Sequence, residues 1–181
     1  AALPDLARTV SSSGFALPAP DGDDRLITDG QFIEVETTDD DDVITIKKGR
    51  ENGSVIVENA GRQQQFLNVA GIKVDGKGGN DRILVEEDVQ ASVILLIGGD
   101  GEDALTVLSA GAATMRGGDD NDVLRGGDGD DDLSGGQGDD ELDGGRGDDI
   151  LRGGIGSDTA FGGRGDDLIF GSCLLYTSDA A

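Results

Sequence analysis

"GGDDNDVLR GGDGDDDLS GGQGDDELD GGRGDDILR GGIGSDTAF GGRGDDLIF" fills residues 117–170. Six nonapeptides begin at 117, 126, 135, 144, 153 and 162 without a slip. Gly-Gly opens each one. Position six is always Asp: Asp122, Asp131, Asp140, Asp149, Asp158 and Asp167. Position eight is Leu124, Leu133, Leu142, Leu151, Ala160 and Ile169. A seventh copy, GGDGEDALT, occupies 98–106, with a degenerate ten-residue stretch, 107–116, before the run. A fixed period of this kind is the signature of stacked repeats. Acidic low complexity alone would point to disorder, but it would not hold an apolar residue in register over six units.

Each position has a physical part to play. Positions one to six, glycines and acids, suit a tight turn with positive φ. Positions seven to nine, with an apolar residue in the middle, suit a very short strand. Two nonapeptides then make one coil with a strand on each side. The position-eight side chains stack inward, and the aspartates line two outer edges. Residues 117–171 hold 16 Asp or Glu and 4 Arg, a net of −12. Stacked carboxylates repel unless a positive charge lies between the turns. With oxygen ligands and no His, that charge is a hard cation, and flexible carboxylate-plus-carbonyl ligation suits Ca²⁺ better than Mg²⁺.

The totals narrow the function. The 181 residues carry a formal charge of −24, which argues against nucleic acid and anionic membrane as partners and favours cations. The absence of His removes the usual general base and most zinc sites. The longest apolar run, Val93–Ile97, is far short of a membrane span. The first residues lack a basic start and a long apolar run, so they do not read as a signal peptide. The missing initial Met reads as a mature or partial sequence. Asp128, Asp130 and Asp132 open like an EF-hand, but Leu133 sits where Gly is required and Asp139 where Glu is required. "GKGGND" (76–81) lacks Walker spacing and reads as a degenerate Ca²⁺ turn. No catalytic site is legible in 1–171, so a non-enzyme is expected.

The nonapeptide GGxGxDxUx resembles the hemolysin-type calcium-binding repeat, the RTX family, over 98–106 and 117–171. The resemblance implies a right-handed parallel β-roll with Ca²⁺ between turns two repeats apart. It also implies a ligand set. One turn supplies the carbonyls of positions two and four with its Asp, and the later turn supplies carbonyls one and three with its own Asp. Carried over, Gly118, Asp120 and Asp122 pair with Gly135, Gln137 and Asp140. Gly127, Gly129 and Asp131 pair with Gly144, Arg146 and Asp149. Gly136, Gly138 and Asp140 pair with Gly153, Ile155 and Asp158. Gly145, Gly147 and Asp149 pair with Gly162, Arg164 and Asp167. Six repeats paired two apart give four ions in 117–171, and Asp103 of the seventh copy joins the set of expected ligands. The resemblance further implies an extracellular protein of bacterial type I secretion. The alternative role is the accessory C-terminal part of a larger secreted RTX protease, lipase or adhesin.

Departures from the pattern carry expectations. Asp120 replaces the position-four Gly, which predicts a distorted first turn. Ala160 and Ser157 predict that the fifth repeat is the least well packed. Residues 22–116 echo the period without keeping it. Acidic turns precede short apolar segments at "DDRLI" (23–27), "DDVITI" (41–46), "NDRILV" (80–85) and "EDALTV" (102–107). The second Asp of the first two lies 18 residues apart, one coil. The next intervals, 39 and 22, predict longer coils with looped turns. "SVIV" (54–57), "QFLNV" (65–69), "GIKV" (71–74) and "SVILLI" (92–97) read as strands of the same helix. The last residues, Cys173–Ala181, back-translate to something like a transposon-end sequencing adapter and are expected to be non-native. The expected fold is all-β: a right-handed parallel β-helix passing into a Ca-bound parallel β-roll. The expected divisions are 1–21, a poorly ordered N-terminal segment; 22–116, the irregular helix; 117–171, the regular roll; and 172–181, the foreign tail.

Overall fold

The computed structural model describes residues 7–11, 25–26, 31–59, 61–171 and 174–177. Every regular element among them is a strand, and the strands stack in parallel into a solenoid of two facing sheets. Sheet A runs β1 (Ala7–Ser11), β3 (Gln31–Glu36), β7 (Val69–Asp75), β9 (Val93–Asp100), β11 (Ala113–Asp119), β13 (Asp132–Gln137), β15 (Ile150–Ile155) and β17 (Leu168–Phe170). Sheet B runs, from its C-terminal end, β18 (Leu174–Thr177), β16 (Asp158–Arg164), β14 (Glu141–Arg146), β12 (Val123–Gly127), β10 (Ala104–Val107), β8 (Arg82–Val85) and β4 (Val43–Lys48). It then continues through β5 (Val55–Asn59), β6 (Arg62–Phe66) and β2 (Arg25–Leu26). Outside β4–β6, which are consecutive strands of sheet B, the chain alternates between the sheets, one strand of each per coil.

In the array the register is that of the repeat. Leu124 pairs with Leu142, Leu142 with Ala160, Leu133 with Leu151 and Leu151 with Ile169. The position-eight residues from Leu124 to Ala160 are fully buried and form the aliphatic ladder. The strands are longer than positions seven to nine. β13 takes Asp132, Leu133 and Ser134 and then Gly135, Gly136 and Gln137, the first three residues of the next repeat. Only positions four to six are left for the turn. Glycine is a poor strand residue in isolation. Here pairing with strands above and below, at Gly136–Gly118 and Gly136–Gly154, supplies the strand conformation.

The seventh copy stacks directly under the array. Leu105 pairs with Leu124 and Gly99 with Gly118, so 107–116 absorbs its extra residue in the loop. Asp120 has φ of 75°, positive but short of the 117–147° of Gly101, Gly138, Gly147, Gly156 and Gly165 at the same position, and its carbonyl still faces Gly138 in the turn above. Below the array the core is richer. Strands there bury two aliphatic side chains each, such as Ile44 with Ile46 and Ile83 with Val85.

Two segments depart from the expected helix. β4, β5 and β6 form an antiparallel meander, so "SVIV" is a reversed strand. "QFLNV" is not one strand: it holds the end of β6 (Gln65, Phe66), a break at Leu67 and Asn68, the latter at φ 52°, and the start of β7 (Val69). Gly53 (φ 71°) and Gly61 (φ 76°) supply the positive dihedrals that these reversals need. The 39-residue interval is thus a single coil carrying a meander. Asp24, and residues 1–21 apart from β1, lie outside the described residues, as does the suspected tail apart from β18, which adds a strand beside β16.

Candidate metal centre

The position-six aspartates are the centre of the site. The alternation of the strand would put them at the rim, yet Asp122, Asp131, Asp140, Asp149 and Asp158 are 1–2 % exposed. Each uses one oxygen to brace the coil before it. On the edge leading from sheet A to sheet B, the Asp81 N–H donates to Asp103 Oδ1 (2.7 Å) and the Asp103 N–H to Asp122 Oδ1 (2.8 Å). The Asp122 N–H donates to Asp140 Oδ1 (2.9 Å) and the Asp140 N–H to Asp158 Oδ1 (3.2 Å). On the opposite edge the Ala113, Asp131 and Asp149 N–H groups donate to Asp131, Asp149 and Asp167 in turn.

The second oxygen is the informative one. Oδ2 of Asp81, Asp103, Asp122, Asp140, Asp149 and Asp158 is buried with no hydrogen-bond partner. A buried carboxylate oxygen left unpaired is costly. Burial accordingly pushes Asp122 up to about 7 and Asp149 to about 6, against single backbone N–H donations that pull them down. Asp131 and Asp140 are raised for the same reason, burial first. Asp131 Oδ2 differs in accepting the Gly127 N–H at 2.9 Å.

Backbone carbonyls converge where these oxygens point. A methyl group placed on Gly135 would collide with Asp140 Oδ2 and, at 2.7 Å, with the carbonyl oxygen of Gly153 in the next coil. The carbonyls of Gly118 and Asp120 face upward, into the positions that methyl groups on Gly136 and Gly138 would take. The same arrangement joins Gly127 and Gly129 to 144–149, Gly136 and Gly138 to 153–158, and Gly145 and Gly147 to 162–167. The structure therefore brings together every pair of turns expected from the sequence. Upward carbonyls come from positions two and four of one turn, and a downward carbonyl from position one of the turn above. The position-three carbonyls of Ile155 and Arg164 each accept one backbone hydrogen bond, from Gly138 and Gly147 (2.8 Å each). Each keeps a second lone pair. Among the described residues no three acidic side chains gather as a cage. The donor set is a carboxylate or two with several carbonyls, all oxygen, which fits a hard divalent cation.

One part of the rim was not anticipated. Position five forms a second, outer ladder that runs the other way. The Asp139 N–H donates to Asn121 Oδ1 and the Ser157 N–H to Asp139 Oδ1 (2.7 Å each). On the other edge Asp148 and Asp166 donate to Asp130 and Asp148. The signal was in the repeat, where five of six copies carry Asp or Asn at position five.

Comparison with known proteins agrees with the array. Residues 109–142 and 143–172 match the family described as RTX calcium-binding nonapeptide repeat (4 copies). No curated protein matches the chain. The RTX repeat is a calcium-binding structural unit rather than a catalytic one.

Proposed function

We propose that the RTX repeats of residues 109–172 make this chain a Ca²⁺-binding structural module of a secreted protein, whose regular part folds as the ion binds. The observation that carries the reading is the row of buried, unpartnered Oδ2 atoms facing backbone carbonyls. Gly118, Asp120 and Asp122 with Gly135, Gln137 and Asp140 would hold one ion. The other three paired turns would hold one each, and Asp103 with Asp122 would contribute to a further position below them. Bound Ca²⁺ supplies the positive charge that lets aspartates of successive coils stay ionised side by side.

The chain's own residues do the rest. The position-one and position-two glycines leave room for close approach. The Oδ1 ladder sets each carboxylate's direction, and the leucine ladder holds the coils in register. Extracellular modules bind Ca²⁺ with affinities of roughly 10⁻⁴–10⁻³ M. A module in that range stays unfolded where Ca²⁺ is scarce, kept open by its own charge, and folds outside the cell. The test is a Ca²⁺ titration followed by circular dichroism, with Mg²⁺ as control. A cooperative gain of β-structure with Ca²⁺ is expected. A spectrum already β-rich in chelator and unmoved by Ca²⁺ would overturn the reading.

A further inference from the structure

Aligning every turn on the sheet A to sheet B edge by the buried-Asp ladder extends the column below the nonapeptides. The Asp81, Asp103 and Asp122 links put 76–81 (GKGGND) beneath 98–103, and 98–103 beneath 117–122. The Asp42 N–H donates to Asp81 Oδ1 (2.8 Å), which puts 37–42 (TTDDDD) beneath 76–81. Position one is then Thr37, Gly76, Gly98 and Gly117 in turn.

The two lowest gaps are built differently. In the gap between 76–81 and 98–103, a methyl group on Gly76 would collide with Asp81 Oδ2 and with the Gly98 carbonyl. The Lys77 and Gly79 carbonyls face upward, toward Gly99 and Gly101. Asp81 and Asp103 are each 2 % exposed, and Oδ2 of each is buried without a partner. The Lys77 ammonium does not neutralise them, because it pairs with Glu36 at 3.2 Å on the exposed face.

In the gap between 37–42 and 76–81 the corresponding space is filled. Thr37 is buried, and its hydroxyl donates to the Gly76 carbonyl, the counterpart of the Gly98 carbonyl above. Both Asp42 oxygens are partnered. Oδ2 accepts from the Thr38 N–H and hydroxyl (3.0 Å each), and Oδ1 from Asn59 Nδ2 (3.2 Å). Protein donors do here what a cation would do above.

We infer that a further Ca²⁺ site lies outside the nonapeptide array, between turns 76–81 and 98–103, and that the column of sites ends there because the Thr37 hydroxyl plugs the next gap. Its ligands are the Lys77 and Gly79 carbonyls, the Gly98 carbonyl, and the carboxylates of Asp81 and Asp103. This rests on the reading of the array as a Ca²⁺ module.

The test counts ions on the whole chain in Ca²⁺ by native mass spectrometry, for wild type and Asp81→Asn. Asparagine still accepts the Asp42 N–H through its oxygen, but it puts an amide donor where Oδ2 pointed. The variant should carry one ion fewer than wild type with an unchanged circular dichroism spectrum. An equal count in the two proteins would overturn the site. If Asp81→Asn does not fold, anomalous diffraction from wild-type crystals grown in Ca²⁺ decides. A peak between Gly79 and Asp103, and none between Thr37 and Gly76, supports the inference. Peaks confined to the gaps above Asp103 overturn it and leave the array reading intact. A wild-type chain that binds no Ca²⁺ sinks the array reading and the further site together.

Discussion

Residues 31–116 and 117–171 share a coil but not a means of stability. Nineteen hydrophobic side chains are buried in the first region and five in the second. A fully buried aliphatic side chain contributes about 1.5–3 kcal/mol. The irregular coils therefore carry a conventional core, whereas the array carries one aliphatic residue per strand. The carboxylates also divide, though not at the same residue. The boundary for the acids lies one coil lower: Asp42 has protein donors on both oxygens, while Asp81, Asp103, Asp122, Asp140, Asp149 and Asp158 each keep one buried and bare. A thin core together with unpaired buried acids marks a region that needs a ligand to hold it. A thick core with a self-satisfied acid marks one that does not.

The largest effect expected from this contrast is on pH. In metal-free protein, burial raises Asp81 and Asp122 to about 7 and Asp103 and Asp149 to about 6, from an unfolded value of 3.8. A folded-state value above the unfolded one means that the folded form binds protons more tightly. Its stabilisation is complete below the unfolded value and is lost as pH rises through 6 to 7. In chelator, lowering the pH from 8 to 5 (about the titration range of these groups) should raise the β-signal of the array. In Ca²⁺ the same change should weaken binding, because protons compete for Oδ2. Apo protein whose β-content is flat or falls over that range would break the comparison.

Core truncations come next. Leu142→Ala and Ile46→Ala each remove a fully buried side chain, at a cost of about 2–5 kcal/mol. Denaturant unfolding with and without Ca²⁺ separates them. The cost at Leu142 should be visible only in Ca²⁺, and the cost at Ile46 in both conditions. Equal dependence on Ca²⁺ would mean that the two regions do not differ in the way described.

How much of this was readable beforehand follows from where the information lies. The period, the leucine ladder, the two aspartate edges and the pairing of turns two repeats apart all follow from local spacing. So does the parallel stacking of the irregular coils in outline. The extension of the strands through Gly135 and Gly136 was not legible, because only neighbours a full coil away impose it. Nor was the meander, since β5 looks like any other short apolar strand until Gly53 reverses it, and β6 (RQQQF) is too polar to read as a strand at all. Thr37 was invisible for the same reason. Its place at position one appears only once the meander has been taken out of the 39-residue interval. The position-five ladder was within reach, since five of the six copies carry Asp or Asn there.

Smaller effects sharpen the account of the turns. Gly135→Ala forces a methyl group against Asp140 Oδ2 and the Gly153 carbonyl, and should cost about 1–3 kcal/mol. Because the carbonyl is backbone, the coils must part, so the Ca²⁺ midpoint of the circular dichroism titration should rise. A midpoint equal to that of wild type would mean that the space is not used. Asp120→Gly relieves a positive φ on a residue with a Cβ, and should stabilise the Ca²⁺-bound form by no more than about 1 kcal/mol in a thermal melt. A clear loss of stability would show instead that the Asp120 side chain has a role of its own.

The most direct measurement is hydrogen exchange of the whole chain, read peptide by peptide with Ca²⁺ and with chelator. Amides of 117–171 should be protected only in Ca²⁺, and those of 31–75 should be protected in both. Protection of 117–171 that is the same in chelator would contradict the account, because the array would then be holding its buried aspartates together without the ion.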